Sequence, residues 1–155
     1  SRYVDLTKAM PQAPNATTSP VDVAQLQDLL SSIFAPWVQE LDLVVREVRQ
    51  CEVVISLPVG ARHVHAGGVM CGQTLMAAAD TAMVLAISAQ LGGFRPMTTV
   101  QLQTSFLRPV AKDAGEVTLV ARVLKPGRNL FFGEIECLLP DGKLAAHATT
   151  TYALL

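Results

Sequence analysis

Apolar residues recur along this chain with two spacings, and the switches between them divide it into elements. Leu26, Leu29, Leu30 and Ile33 share one face of a helix that Asp22 can cap, expected to run to about Ile33 and to be ended by Pro36. Residues 41–48 and 51–58 alternate and are rich in Val, Leu and Ile, which predicts two strands. Gly60, Gly67 and Gly68 make the stretch from Val59 to Cys71 a loop. Gly72 to about Gln90, dense in Ala, Leu and Met and stopped by Gly92 and Gly93, predicts the main helix. Strands follow over Thr98–Leu107, Val117–Leu124, Leu130–Leu139 and Leu144–Leu154, separated by turn-forming stretches. In the first of these Val100, Leu102, Thr104 and Phe106 alternate with Thr99, Gln101, Gln103 and Ser105. Connections this short predict antiparallel neighbours and a meander of the last four strands.

Residues 1–20, with Pro11, Pro14, Pro20 and a polar stretch at 15–19, read as an arm without regular structure. That leaves 21–155 as a single domain: one long helix on one antiparallel sheet, an α+β layer fold. The helix is apolar on nearly every face, with Asp80 its only charge. A helix apolar all round must be buried all round, so the sheet has to wrap it or a second subunit has to cover it.

Composition points the same way. Half of the chain is apolar and 16% is charged, against about 25% in an average soluble chain. A surface short of charge implies self-association. The net charge of −1 gives no footprint for nucleic acid, and no basic run marks a membrane-binding face. Cys51, Cys71 and Cys137 lie far apart and are odd in number, which reads as reduced thiols of a cytoplasmic protein. The first residues lack the apolar core of a secretory signal. The longest apolar stretch, Leu75 to Ile87, is too short for a bilayer.

Two features carry chemistry. Asp80 has Met76, Ala77, Met83 and Val84 as its helical neighbours, a costly place to bury a carboxylate without a partner or a role. The helix start, from Gly67 and Gly68 to Gly72 and Gln73, offers unpaired amides at the positive end of the helix dipole, able to hold a developing oxyanion. A plain turn is the simpler reading of those glycines, and a structural role the simpler reading of Asp80. Gly72 and Asp80 stand eight residues apart, roughly 12 Å along one helix. One carbonyl group cannot touch both. If they serve one site, the amides of one subunit face the carboxylate of another across a two-fold axis.

The glycine pair, the helix carrying Ala79-Asp80-Thr81-Ala82, and the segments Thr99-Val100-Gln101-Leu102 and Ser105-Phe106-Leu107-Arg108-Pro109 resemble the phenylacetate-pathway (PaaI-like) hotdog thioesterases. The resemblance runs from about Val44 to Ala153. It implies a hotdog fold: an antiparallel sheet of about six strands wrapped around one long central helix, here with an extra N-terminal helix. It also implies homodimers with shared active sites, usually joined into homotetramers, and hydrolysis of acyl-CoA without metal or other cofactor. Asp80 matches the family's nucleophile or general base, and Gly72 the glycine whose amide polarises the thioester carbonyl. His65 stands where relatives carry Asn or Gln, Gln73 replaces a common glycine or proline, and Val84 takes the place of a threonine found in some relatives.

His63 and His65 lack a nearby third ligand and do not predict a metal site. Gly68, Met76 and Met83 are candidates for the acyl cleft, and Arg108, Lys112, Arg128 and Asn129 for the coenzyme A phosphates, although turn charges are by default solvated. His147 reads as a sheet-face residue, and no GxSxG elbow surrounds Ser105. Two rival functions remain. One is a hotdog dehydratase or hydratase of 3-hydroxyacyl thioesters using His65 and Asp80. The other is a non-catalytic acyl-CoA-binding protein.

Overall fold

The computed structural model describes residues 20–155. All of the expected arm except Pro20 lies outside them. Helix α1 (Val23–Leu30) opens on a reciprocal cap: the Gln25 amide donates to Asp22 Oδ1, and the Asp22 amide to Gln25 Oε1, both at 2.8 Å. It ends before Ile33, because the hydroxyls of Ser31 and Ser32 bond to the Asp28 carbonyl at 3.0 and 2.7 Å and tighten the last turn. Pro36 does not terminate that helix. It opens a second, short one, α2 (Pro36–Gln39), where its fixed φ suits a first helical position.

Strands β1 (Val44–Arg49) and β2 (Glu52–Pro58) precede helix α3 (Gly72–Leu91). Strands β3 (Met97–Phe106), β4 (Glu116–Pro126), β5 (Leu130–Leu138) and β6 (Leu144–Leu154) follow it. The six strands form one antiparallel sheet in the order β1-β2-β4-β5-β6-β3. The expected four-strand meander is therefore corrected. β4, β5 and β6 are consecutive, but β3 lies beside β6 and not beside β4. Both edges of β4 are taken, by β2 and β5, and β3 pairs instead on the outer edge of β6. The connection from β3 to β4 instead passes the start of α3, where the Met70 amide donates to the Val110 carbonyl at 2.8 Å.

α3 is the core. Ala78, Ala79, Ala82, Met83, Leu85, Ala86 and Ile87 are fully buried against the inner faces of β2, β4 and β5. Each of its large side chains contributes roughly 1.5–3 kcal/mol by leaving water. Its polar residues are satisfied locally: Thr81 Oγ1 donates to the Ala77 carbonyl and Ser88 Oγ to the Val84 carbonyl, each at 2.8 Å. At 20 residues it is, by length and composition, long and apolar enough to cross a membrane, which corrects the shorter stretch read from the sequence. Its burial inside the sheet accounts for that apolarity. Gly92, at φ 78°, turns the chain out of the helix in the left-handed conformation a side chain would strain.

Candidate active site

The loop before α3 is pinned on both sides. The Cys71 amide donates to the His63 carbonyl at 2.8 Å, and the Lys112 amide to the Gly68 carbonyl at 3.0 Å. Gly68 takes a φ of 80°, which closes the tight turn from His65 to Val69. No side chain caps α3, so the amides of Gly72 and Gln73 point out of its first turn. Beside them lies a cleft of about 400 Å³, lined by Met70, Gly72, Leu75, Phe106, Arg108 and Val110 among others. Phe106 leans over Gly72 from the end of β3.

Asp80 sits two turns further along, half-buried. Its Oδ1 accepts from Thr99 Oγ1 at 2.9 Å and also from the phenol of Tyr152, which lies 3.0 Å from the Asp80 carbonyl oxygen as well. Oδ2 takes no hydrogen bond from any described residue. Tyr152 is 3% exposed. Burial, and then the charge of Asp80, push its phenol well above the usual tyrosine range, so it stays a proton donor.

Neither partner of Asp80 was legible locally. Alternation along 98–107 put Thr99 on the face opposite Val100, Leu102 and Phe106. A β-bulge between Thr99 and Gln101 shifts the register, so that Thr99 and Leu102 share the inner face and Val100 is left 59% exposed. Tyr152 follows a run of small and polar residues in β6, and only its pairing opposite Thr99 brings it to α3.

The remaining candidates are distributed. His65 is exposed, and its Nδ1 accepts from the Gly67 amide at 2.9 Å. His63 turns away from it: its Nδ1 lies 3.2 Å from Thr74 Oγ1, which in turn lies 3.1 Å from Cys71 Sγ. Met76 is half-buried. Met83, expected to line the acyl cleft, is instead fully buried, with its Cε under Gly133. Arg108 lines the cleft and donates from Nη1 to the Leu144 carbonyl at 2.8 Å. Lys112 is exposed beside Gly68. Arg128 and Asn129 sit in the β4–β5 turn, where the Asn129 carbonyl accepts from Leu154, the residue opposite Met97 at the start of β3. One protomer thus holds its candidate phosphate-binding residues at opposite ends of β3. His147 faces outward from β6, with Nε2 3.0 Å from Glu134.

Residues 67–146 match the family model described as the Thioesterase superfamily. The chain belongs to the thioesterase superfamily. A "Putative esterase" of Saccharolobus solfataricus is 30% identical over 115 residues, covering 74% of this chain and 80% of that one. A variant of the phenylacetic acid degradation protein PaaI from Thermus thermophilus is 28% identical with a TM-score of 0.68, over 78% of this chain and all (100%) of that one. A thioesterase of Haemophilus influenzae shares the fold at a TM-score of 0.78 and 24% identity, over 90% and 94% of the two chains. This superfamily member is a PaaI-like hotdog protein and a hydrolase. The matched span holds Gly72, Asp80, Thr99 and Phe106, whereas His65 and Tyr152 lie outside it.

Proposed function

We propose that this thioesterase hydrolyses the thioester bond of an acyl- or aryl-acyl-CoA, with Asp80 as the reacting carboxylate. The observation that carries the reading is the state of that carboxylate: one oxygen is held by two hydroxyls and the other has no partner among the described residues, midway along a buried helix. As general base, Oδ2 takes a proton from water while the water oxygen bonds to the thioester carbon. The carbonyl oxygen becomes an oxyanion held by the amides of Gly72 and Gln73. Collapse breaks the C–S bond, and the departing thiolate takes the proton. As nucleophile, Oδ2 would attack the same carbon, expel the thiolate and form an anhydride that water then cleaves.

The site is shared between two copies of the chain. β3 is an edge strand, and an exposed ten-residue edge is a template for pairing. Thr99 and Asp80 stand near its beginning and Phe106 and Gly72 at its end. Antiparallel pairing of β3 with its two-fold mate sets the Asp80 end of one copy beside the Gly72 end of the other. The same operation brings Arg128 and Asn129 of one copy toward Arg108 and Lys112 of its mate, at the mouth where coenzyme A phosphates would bind. The tetramer is a pair of such dimers.

The test is thiol release from a panel of aryl- and alkyl-CoA thioesters, wild type against Asp80→Asn, with oligomer size followed in parallel. Release that disappears in an intact Asp80→Asn oligomer supports the reading. Full release by that variant would overturn it, and loss of enoyl absorbance without free thiol would assign hydration instead.

A further inference from the structure

Asp80 receives two hydroxyls, and they come from one cross-strand pair: Thr99 on β3 and Tyr152 on β6 are directly opposed in the sheet register. Both donate to the same oxygen, Oδ1. The two donors differ in setting. Thr99 is on the exposed edge strand, whereas Tyr152 is buried one strand further in, its ring among the core residues packed on α3. One turn after Asp80 the helix carries Val84, which has no hydroxyl to offer. Tyr152 is therefore the one donor to the carboxylate that is rooted in the core of the protomer.

We infer that Tyr152 is a positioning residue for Asp80: its phenol fixes Oδ1 so that Oδ2 alone is presented to the substrate. The inference rests on the reading of Asp80 as the reacting group. Two hydroxyls on one carboxylate oxygen restrict the side-chain torsion of Asp80, and a carboxylate held within a few tenths of an ångström reacts far faster than one that wanders. No described Lys, Arg or His pairs with Asp80, so the donors to its side chain are the Thr99 and Tyr152 hydroxyls. The phenol does not touch substrate and takes no part in bond making. A tyrosine kept only to fill the core would serve as well without its hydroxyl.

That difference is the test. Tyr152→Phe keeps the ring and removes only the donor. Thiol release is followed across substrate concentration for wild type, Tyr152→Phe and Asp80→Asn, with melting temperature and oligomer size as controls. We expect Tyr152→Phe to lose roughly tenfold or more in kcat, with KM within about twofold, because the lost contact orients the reacting group without binding substrate. Site-specific 4-fluorophenylalanine at position 152 fills the place of the hydroxyl without donating and should show the same loss, and it serves also if the phenylalanine variant folds poorly. An inactive Asp80→Asn together with unchanged kcat in both Tyr152 variants would overturn this inference alone. A fully active Asp80→Asn would overturn the reading of the site and this inference with it.

Discussion

A β-carbon added to Gly72 would stand 3.0 Å from Cζ of Phe106, well inside the 3.5–4.0 Å of an ordinary carbon contact. Phe106 is 51% exposed, so its ring has room to move. The glycine at the start of α3 therefore has two distinct uses: it admits the ring, and it leaves the first amide of the helix open to a ligand.

Gly72→Ala separates them. Its backbone is ordinary and the ring can yield, so stability should change by less than about 1 kcal/mol. Thiol release should fall by roughly tenfold or more, within the ~10²-fold that a 1 Å misplacement of reacting groups costs. Adding Phe106→Ala relieves the crowding. If release returns to the wild-type rate in that double variant, the glycine serves the ring and not the substrate.

Mixing tests the shared site. Gly72→Pro removes an amide while suiting the first helical position, and Asp80→Asn removes the carboxylate. Each alone should be inactive. Refolded together they should regain activity, because a mixed dimer holds one complete site. Mixed dimers that form, as shown by differential tagging, yet release no thiol would place both functions in one subunit.

Gly133 has no such latitude. A β-carbon there would meet Met83 Cε at 2.4 Å and the Arg122 carbonyl oxygen at 2.5 Å. The methionine could adjust, but the carbonyl belongs to β4, so β5 would have to shift. Gly133→Ala should cost about 1–3 kcal/mol by denaturant unfolding. Met83→Ala in addition should not restore it, and full rescue would show that the side chain alone sets the limit.

Alkaline stability should fall early. Burial pushes the Cys137 thiol from its ordinary 9.0 up to about 12. The unfolded chain gives up that proton first, so the stabilisation is complete below pH 9 and is lost as pH rises toward 12. A single proton makes the slope at most about 1.4 kcal/mol per pH unit. Tyr152 acts in the same sense. Urea midpoints between pH 8 and 11 should decline less steeply in Cys137→Ala, and identical slopes would exclude the thiol as a contributor.

Local pattern by itself determined the elements of this protein. The two-residue alternation of Val, Ile and Leu placed five of its strands within a residue or two, and the unbroken apolar run after Gly72 placed α3, because strand and helix periods are properties of neighbouring residues. Asp80 stood out on the same ground, as the one charge on a helix with no polar face. The tertiary structure decided what local pattern cannot carry. β3 joins β6 and not β4, whose edges are both taken, a fact about the whole sheet. The bulge at Val100 reverses the parity that alternation assigned to Thr99. Tyr152 reaches Asp80 from 72 residues away, through a register set by strands that a reading of either segment does not contain. The carboxylate was visible from its own surroundings, while the hydroxyls that hold it depend on which strands lie side by side.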